Sequence, residues 1–111
     1  MTLLCFNVLF MSKVIDVSVV ILTFNVRDLL KECLQSVFNS IDKAKLKAEI
    51  FVVDNGSDRT DKMVANFFKR SVKYIANSND AGFSESNNIA LKKTSGKYIL
   101  LLNSDTKVSL D

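Results

Sequence analysis

Glu49-Ile50-Phe51-Val52-Val53-Asp54-Asn55-Gly56-Ser57-Asp58 is a short apolar run that stops abruptly on a cluster of polar turn residues. The apolar part carries no alternating polar positions, so it reads as a strand covered on both faces, as in a parallel sheet. The polar part reads as a turn, with Gly56 expected to take a positive φ. Ser57 or Asp58 is placed to cap a following helix, whose apolar stripe is Met63, Val64, Phe67 and Phe68.

The same pattern extends in both directions. Upstream, Val17 to Thr23 is a second buried strand, β-branched and nearly continuous in its apolar character. Asn25 follows as an N-cap, with Asp28 facing the exposed amides of the first turn. Leu30, Cys33, Leu34, Val37, Phe38 and Ile41 then recur at helical spacing. Downstream, Val72 to Ala76 reads as a strand and Asn77 to Gly82 as a polar loop. Ser84 is placed to cap a helix reaching about Thr94, with Gly96 as its terminating glycine. Lys97 to Leu102 is a last strand, followed directly by Asn103-Ser104-Asp105. Strand and helix alternate throughout. Right-handed crossovers then give an α/β domain with a parallel sheet flanked by helices.

Bulk properties narrow the function. The 111 residues suffice for one domain, and 48% hydrophobic with 24% charged residues is the balance of a globular protein. The net charge of +3 is too slight and too dispersed for a nucleic-acid surface. With no histidine, Ser-His-Asp and Cys-His catalysis are excluded. Cys5 and Cys33 form no CxxC pair, which points to a reduced, intracellular protein, and Cys33 falls on a helix's apolar face as a core residue. Residues 1–15 form an apolar leader, with Met1 to Met11 shorter than the roughly 20 residues of a membrane span and without a basic signal-peptide start. Two readings stand: an extra strand or adhesive tail, or a true start at Met11.

Ligands of open parallel sheets bind at the carboxyl ends of the strands. Those ends carry Thr23-Phe24-Asn25, Asp54 to Asp58, Asn77 to Gly82, and Asn103 to Asp105. Turn and cap chemistry explains any one such cluster. Four on one edge suggest a ligand site. Neither a P-loop nor a dinucleotide glycine fingerprint is present. A diphosphate held without one calls for a divalent metal, bound by one or two carboxylates and the phosphate oxygens. Asp105 is placed for that role, and Asp54 for a ribose hydroxyl or base N–H.

In this order the motifs resemble family 2 glycosyltransferases of the GT-A fold. Thr23-Phe24-Asn25 is similar to the family's Thr-aromatic-Asn, and Val53 to Asp58 to its Val-Asp-Asp/Asn-Gly-Ser-x-Asp. Asn79 to Ala90 and Gly96 to Thr106 resemble segments of its rhamnosyltransferase-like branch. The resemblance covers Val17 to about Val108 and implies a Rossmann-like, nucleotide-diphospho-sugar transferase sheet over residues 16–111, cut short. It implies nucleotide-sugar binding by Thr23, Asn25, Asp54, Asn55, Gly56, Ser57, Gly82, Asn87 and Asn103. Asp105 is implied as the ligand of Mg²⁺ or Mn²⁺, within an Asn-x-Asp version of the family's usual Asp-x-Asp.

The function implied is inverting, metal-assisted transfer from a dTDP- or UDP-sugar to an acceptor hydroxyl, in cell-surface polysaccharide synthesis. The setting implied is the cytoplasm, at the inner face of the membrane. The family's catalytic base lies downstream of the metal motif, so it is expected to be absent from this chain. Asp80 and Glu85 read as loop and first-turn residues. The competing reading is a non-catalytic nucleotide-binding or interaction module. A receiver domain is disfavoured, because Thr23-Phe24-Asn25 lacks the acidic pair that fold requires. A sheet ending at its fourth strand is expected to expose apolar surface or an unpaired edge, and to be marginally stable or self-associate.

Overall fold

The computed structural model describes residues 14–56, 59–77 and 83–108. Four parallel strands alternate with three helices: β1 (Val17–Thr23), α1 (Arg27–Ala44), β2 (Ala48–Asp54), α2 (Thr60–Phe67), β3 (Lys73–Ala76), α3 (Phe83–Leu91) and β4 (Tyr98–Asn103). A 3₁₀ turn, Lys69–Ser71, links α2 to β3. The sheet order is β3-β2-β1-β4. From β1 in the middle the chain steps outward through β2 to β3, then reverses to place β4 on the other side of β1. In this topology a crevice opens between β1 and β4 at their carboxyl ends.

The apolar runs are explained by two cores. Val19, Ile21, Ile50 and Val52 pack beneath Leu30, Cys33, Leu34 and Val37 of α1 and Met63 and Val64 of α2. On the other face, Val20, Phe51 and Val53 pack against Ala90 of α3. β1 and β2 are thus covered on both sides, as their unbroken apolar character demands. β4 differs. Among the described residues it pairs with β1 alone, and Tyr98 is 75% and Leu101 50% exposed.

Several local expectations are corrected. Asn25 does not cap α1. Val26 holds the cap position without a side-chain cap bond, and Asn25 lies outside the helix in the left-handed region, φ 52°. Asparagine tolerates that conformation better than most residues. Gly56 packs onto this corner, where an added Cβ would lie 2.6 Å from the Asn25 backbone nitrogen. Gly56 is accordingly needed for close approach, not for a positive φ, which no glycine among the described residues adopts. Gly96 does not end α3, which stops at Leu91. It lets the loop pass β1, where a Cβ would lie 2.6 Å from the Ser18 nitrogen. Ser84 lies inside α3 rather than at its cap. Arg59 occupies the α2 cap position, while Ser57 and Asp58 lie outside the described residues. So do the leader through Lys13, the Asn79–Gly82 loop and Asp111.

At the amino end of the sheet one carboxylate ties four segments together. Glu49 Oε2 accepts from Ser18 Oγ at 2.6 Å, the Ser95 amide at 2.6 Å and Ser95 Oγ at 3.1 Å. Its Oε1 accepts from Lys73 Nζ at 3.0 Å. Ser18 Oγ in turn accepts from the Gly96 amide at 2.8 Å. Burial acts to raise the Glu49 pKa, but these donors outweigh it and lower the value from 4.5 to about 2. No helix among the described residues is long and apolar enough to cross a membrane.

Candidate functional site

The crevice at the chain reversal is a cleft of about 380 Å³. Thr23 and Phe24 reach it from the end of β1, Val26 and Leu29 from the start of α1, Asn55 from the end of β2, and Asn103, Ser104 and Asp105 from the end of β4. Their convergence follows from the parallel register, which sets Thr23 beside Asp54 and Leu22 beside Asn103. A backbone bond from the Asn55 amide to the Thr23 carbonyl, 3.0 Å, closes the corner.

Two polar atoms in this cleft are buried without a partner among the described residues: Thr23 Oγ1 and Asn55 Oδ1. Such groups cost on the order of 1–3 kcal/mol each if left unpaired. The rest of the Asn55 amide is fixed, its Nδ2 donating to Ser86 Oγ at 2.9 Å. Ser86 Oγ also accepts from Asn77 Nδ2 at 3.1 Å. Ser86 thus holds both asparagine side chains, a role that neither of the two serines of α3 signals in the sequence. The Phe24 ring is 57% exposed at the cleft rim.

Asp54 plays a different part from its neighbour. It is buried, does not line the cleft, and accepts from the Gly56 amide at 2.8 Å and from the Tyr74 hydroxyl. Asn25 lines an adjoining depression, and Asn87 is buried on α3. Ser57 and Gly82 lie outside the described residues.

Asp105 is presented by a turn closed by the Thr106 amide on the Asn103 carbonyl, 3.0 Å. Its side chain is exposed, with no hydrogen bond or ion pair among the described residues, and it is the one carboxylate lining the cleft. Beneath it, burial and the Asp105 charge push the Cys33 thiol up to about 11, so Cys33 is an inert core group. No group of three metal-ligating side chains occurs among the described residues. The donor set fits a cation that takes one carboxylate from the protein and its remaining oxygens from a phosphate. A larger cavity, about 820 Å³, runs between α1 and β4 and is lined mainly by apolar side chains such as Val37, Ile41, Tyr98 and Leu100. None of the strand-end polar residues lines it.

A parallel sheet with a polar cleft at its chain reversal defines an open α/β domain with its ligand site at the carboxyl ends of the strands. Sequence comparison makes the assignment: the chain belongs to glycosyl transferase family 2, whose model matches residues 18–111. It is 32% identical over 93 residues to a poly(ribitol-phosphate) beta-glucosyltransferase of Bacillus spizizenii, covering 80% of this chain and 14% of that protein. It is 31% identical over 98 residues to the glycosyltransferase GlyA of Streptococcus pneumoniae, covering 86% of this chain and 14% of that protein. The chain therefore spans about one-seventh of the length of these relatives. Among solved structures, S. aureus TarS 1-349 in complex with UDP-GlcNAc superposes with a TM-score of 0.73 at 28% identity, over 86% of this chain and 28% of that one. A mannosyltransferase of Pyrobaculum calidifontis, in complex with GDP-Man and Mn²⁺, superposes with a TM-score of 0.69 over 82% of this chain and 28% of that one. At 22% identity it shows likeness of fold alone. The fold is GT-A, as the motifs implied.

Proposed function

We propose that this chain is the donor-binding part of an inverting, metal-assisted glycosyltransferase acting on a dTDP- or UDP-sugar. The observation that carries the reading is the pair of orphaned atoms, Thr23 Oγ1 and Asn55 Oδ1, in the cleft that Asp105 rims. A hydroxyl and an amide oxygen suit the polar edge of a base or ribose, and the exposed Phe24 ring offers a stacking surface. Asp54 uses one lone pair on each oxygen for its own corner and keeps others for a ribose hydroxyl. The UDP-GlcNAc complex of TarS supports a nucleotide-sugar ligand.

Mg²⁺ or Mn²⁺ would be held by Asp105, with Asn103 beside it. The chemistry such a cation supplies is neutralisation of charge on a departing diphosphate. The chain's own residues bind and orient the donor and shield its base from water. Deprotonation of the acceptor hydroxyl needs a base; among the described residues the cleft offers no carboxylate other than Asp105, and this reading places the base downstream of the metal motif. The rhamnosyltransferase-like branch, a role in cell-surface polysaccharide synthesis at the cytoplasmic face of the membrane, and self-association through β4 belong to the same proposal.

Titration of UDP and dTDP into the wild type and Asp105→Ala, with and without Mn²⁺, tests it. The wild type is expected to bind at least one nucleotide, more tightly with Mn²⁺, and the variant to lose the metal effect. No binding by the wild type under any condition rejects the donor site. A metal effect that survives Asp105→Ala rejects the role of that residue.

A further inference from the structure

In a parallel sheet every helix-to-strand connection falls at the amino edge, opposite the cleft. All three such connections are basic. Lys45 and Lys47 flank Leu46 between α1 and β2, Lys69 and Arg70 lie between α2 and β3, and Lys92, Lys93 and Lys97 lie between α3 and β4, with no acidic residue in any of them. Lys43 adds to them from the last turn of α1. The acidic groups at this edge are Asp42, next to Lys43; Asp16, whose Oδ2 accepts from the Lys47 amide at 2.9 Å; and Glu49, which Lys73 partners. Among the described residues the carboxyl edge is nearer balance, with Asp28, Asp54, Asp61, Glu85 and Asp105 set against Arg27, Lys31, Arg59 and Lys62. Positive charge that is dispersed in the sequence is thus gathered at one edge by the topology.

Helix carboxyl ends favour cations, which accounts for Lys43, Lys92 and Lys93. That effect fades within one turn and does not reach Lys97, six residues past the end of α3. Apolar side chains also stand among the lysines. Leu46, between Lys45 and Lys47, is 44% exposed, and Tyr98, next to Lys97, is 75% exposed. Lys43, Leu46, Lys97 and Tyr98 all line the apolar cavity between α1 and β4. Cations interleaved with an aliphatic and an aromatic side chain match a surface that is anionic outside and apolar beneath. A nucleic-acid backbone engages the lysines but leaves Leu46 in water.

We propose that the amino edge docks on a bilayer containing anionic phospholipids, with its lysines on the headgroups and Leu46 and Tyr98 at the interface. The inference rests on the donor-binding enzyme proposed above, and gives its membrane setting a surface, a lipid class and an orientation. Strands of six or seven residues separate the two edges. At a rise of about 3.3 Å per residue they hold the donor cleft roughly 20 Å from the lipid, facing the aqueous side. A soluble donor then reaches the cleft without crossing the docked surface.

The test is co-flotation of the full chain with vesicles of phosphatidylcholine alone, or of phosphatidylcholine and phosphatidylglycerol in equal parts; self-associated protein sinks and is not counted. Lys45→Gln/Lys97→Gln removes two lysines of the amino edge, Leu46→Ser removes the apolar contact, and Arg59→Gln/Lys62→Gln removes the same charge at the carboxyl edge. Expected is salt-sensitive binding to the anionic vesicles alone, weakened about tenfold or more by the edge variant and less than about twofold by the carboxyl-edge control. Leu46→Ser should weaken it about threefold. UDP affinity should be unchanged in the edge variant and in Leu46→Ser. Equal binding to neutral vesicles, equal loss in the edge and control variants, or unchanged binding in the edge variant overturns the proposal. Tighter binding of a single-stranded oligonucleotide than of anionic vesicles, unaltered by Leu46→Ser, assigns the edge to nucleic acid and also overturns it. A wild type that floats but binds no UDP rejects the donor reading and leaves the docking edge standing; one that binds UDP and does not float rejects the docking alone.

Discussion

Replacing Glu49 with glutamine removes a charge from the amino end of the sheet while keeping its shape. The Glu49 side chain is 5% exposed and accepts from Ser18, from the Ser95 amide and hydroxyl, and from Lys73. These donors lower its pKa from 4.5 to about 2 in spite of burial. A shift of that size corresponds to about 3 kcal/mol of folding free energy carried by the ionised form. Lys73 is 59% exposed, so most of its share is screened and the buried donors carry the effect. The folded-state pKa is depressed, so the contribution is fully present above pH 4.5 and lost as pH falls through about 2. Urea unfolding at pH 7 should show Glu49→Gln destabilised by about 2–3 kcal/mol, since glutamine still accepts one bond. The gap from wild type should narrow steadily between pH 4.5 and 2. A variant within about 0.5 kcal/mol of wild type at pH 7, or a gap independent of pH, would refute the reasoning.

Three further outcomes are expected. Thr23→Val removes a buried, unpaired hydroxyl; stability should hold or rise by about 1 kcal/mol while UDP affinity falls about tenfold, and calorimetry with urea unfolding separates the two. Gly56→Ala drives a Cβ into the Asn25 corner, with the backbone nitrogen at 2.6 Å; a loss of about 1–3 kcal/mol in thermal unfolding is expected, and an unperturbed melting temperature would contradict the packing argument. Leu101→Lys puts a charge on the exposed edge strand; sedimentation velocity should show less self-association than wild type, and a monomeric wild type would remove the edge-pairing proposal.

The sheet was legible because β1 and β2 are covered on both faces and carry apolar residues at nearly every position. β4 shows where that signal fails. Tyr98 to Leu102 reads the same as a doubly covered strand, yet it lies on an edge, since periodicity does not report which neighbours a strand finds. Helix starts were misplaced for a related reason. Asn25 has the chemistry of a cap, but it takes a left-handed turn against Gly56, 31 residues on, a contact that local sequence does not report. At the site, the strand-end rule found Thr23, Asn55, Asn103 and Asp105. It could not separate Asn55, which faces the cleft, from Asp54, which Tyr74 and the Gly56 amide hold in the corner. Ser86 was invisible, because its two asparagine partners come from the ends of different strands. Glu49 looked like a strand boundary until Ser18, Lys73 and Ser95 were brought around it.

The central claim is that the nucleotide sits in the cleft between β1 and β4. Amide chemical-shift mapping of the labelled chain during a UDP titration with Mg²⁺ tests it most directly. The account predicts shifts concentrated at Thr23 to Val26, Asn55 to Gly56 and Asn103 to Thr106, with little change along the apolar groove at Ile41 and Tyr98. Shifts concentrated in that groove, or none at saturating UDP, would contradict it.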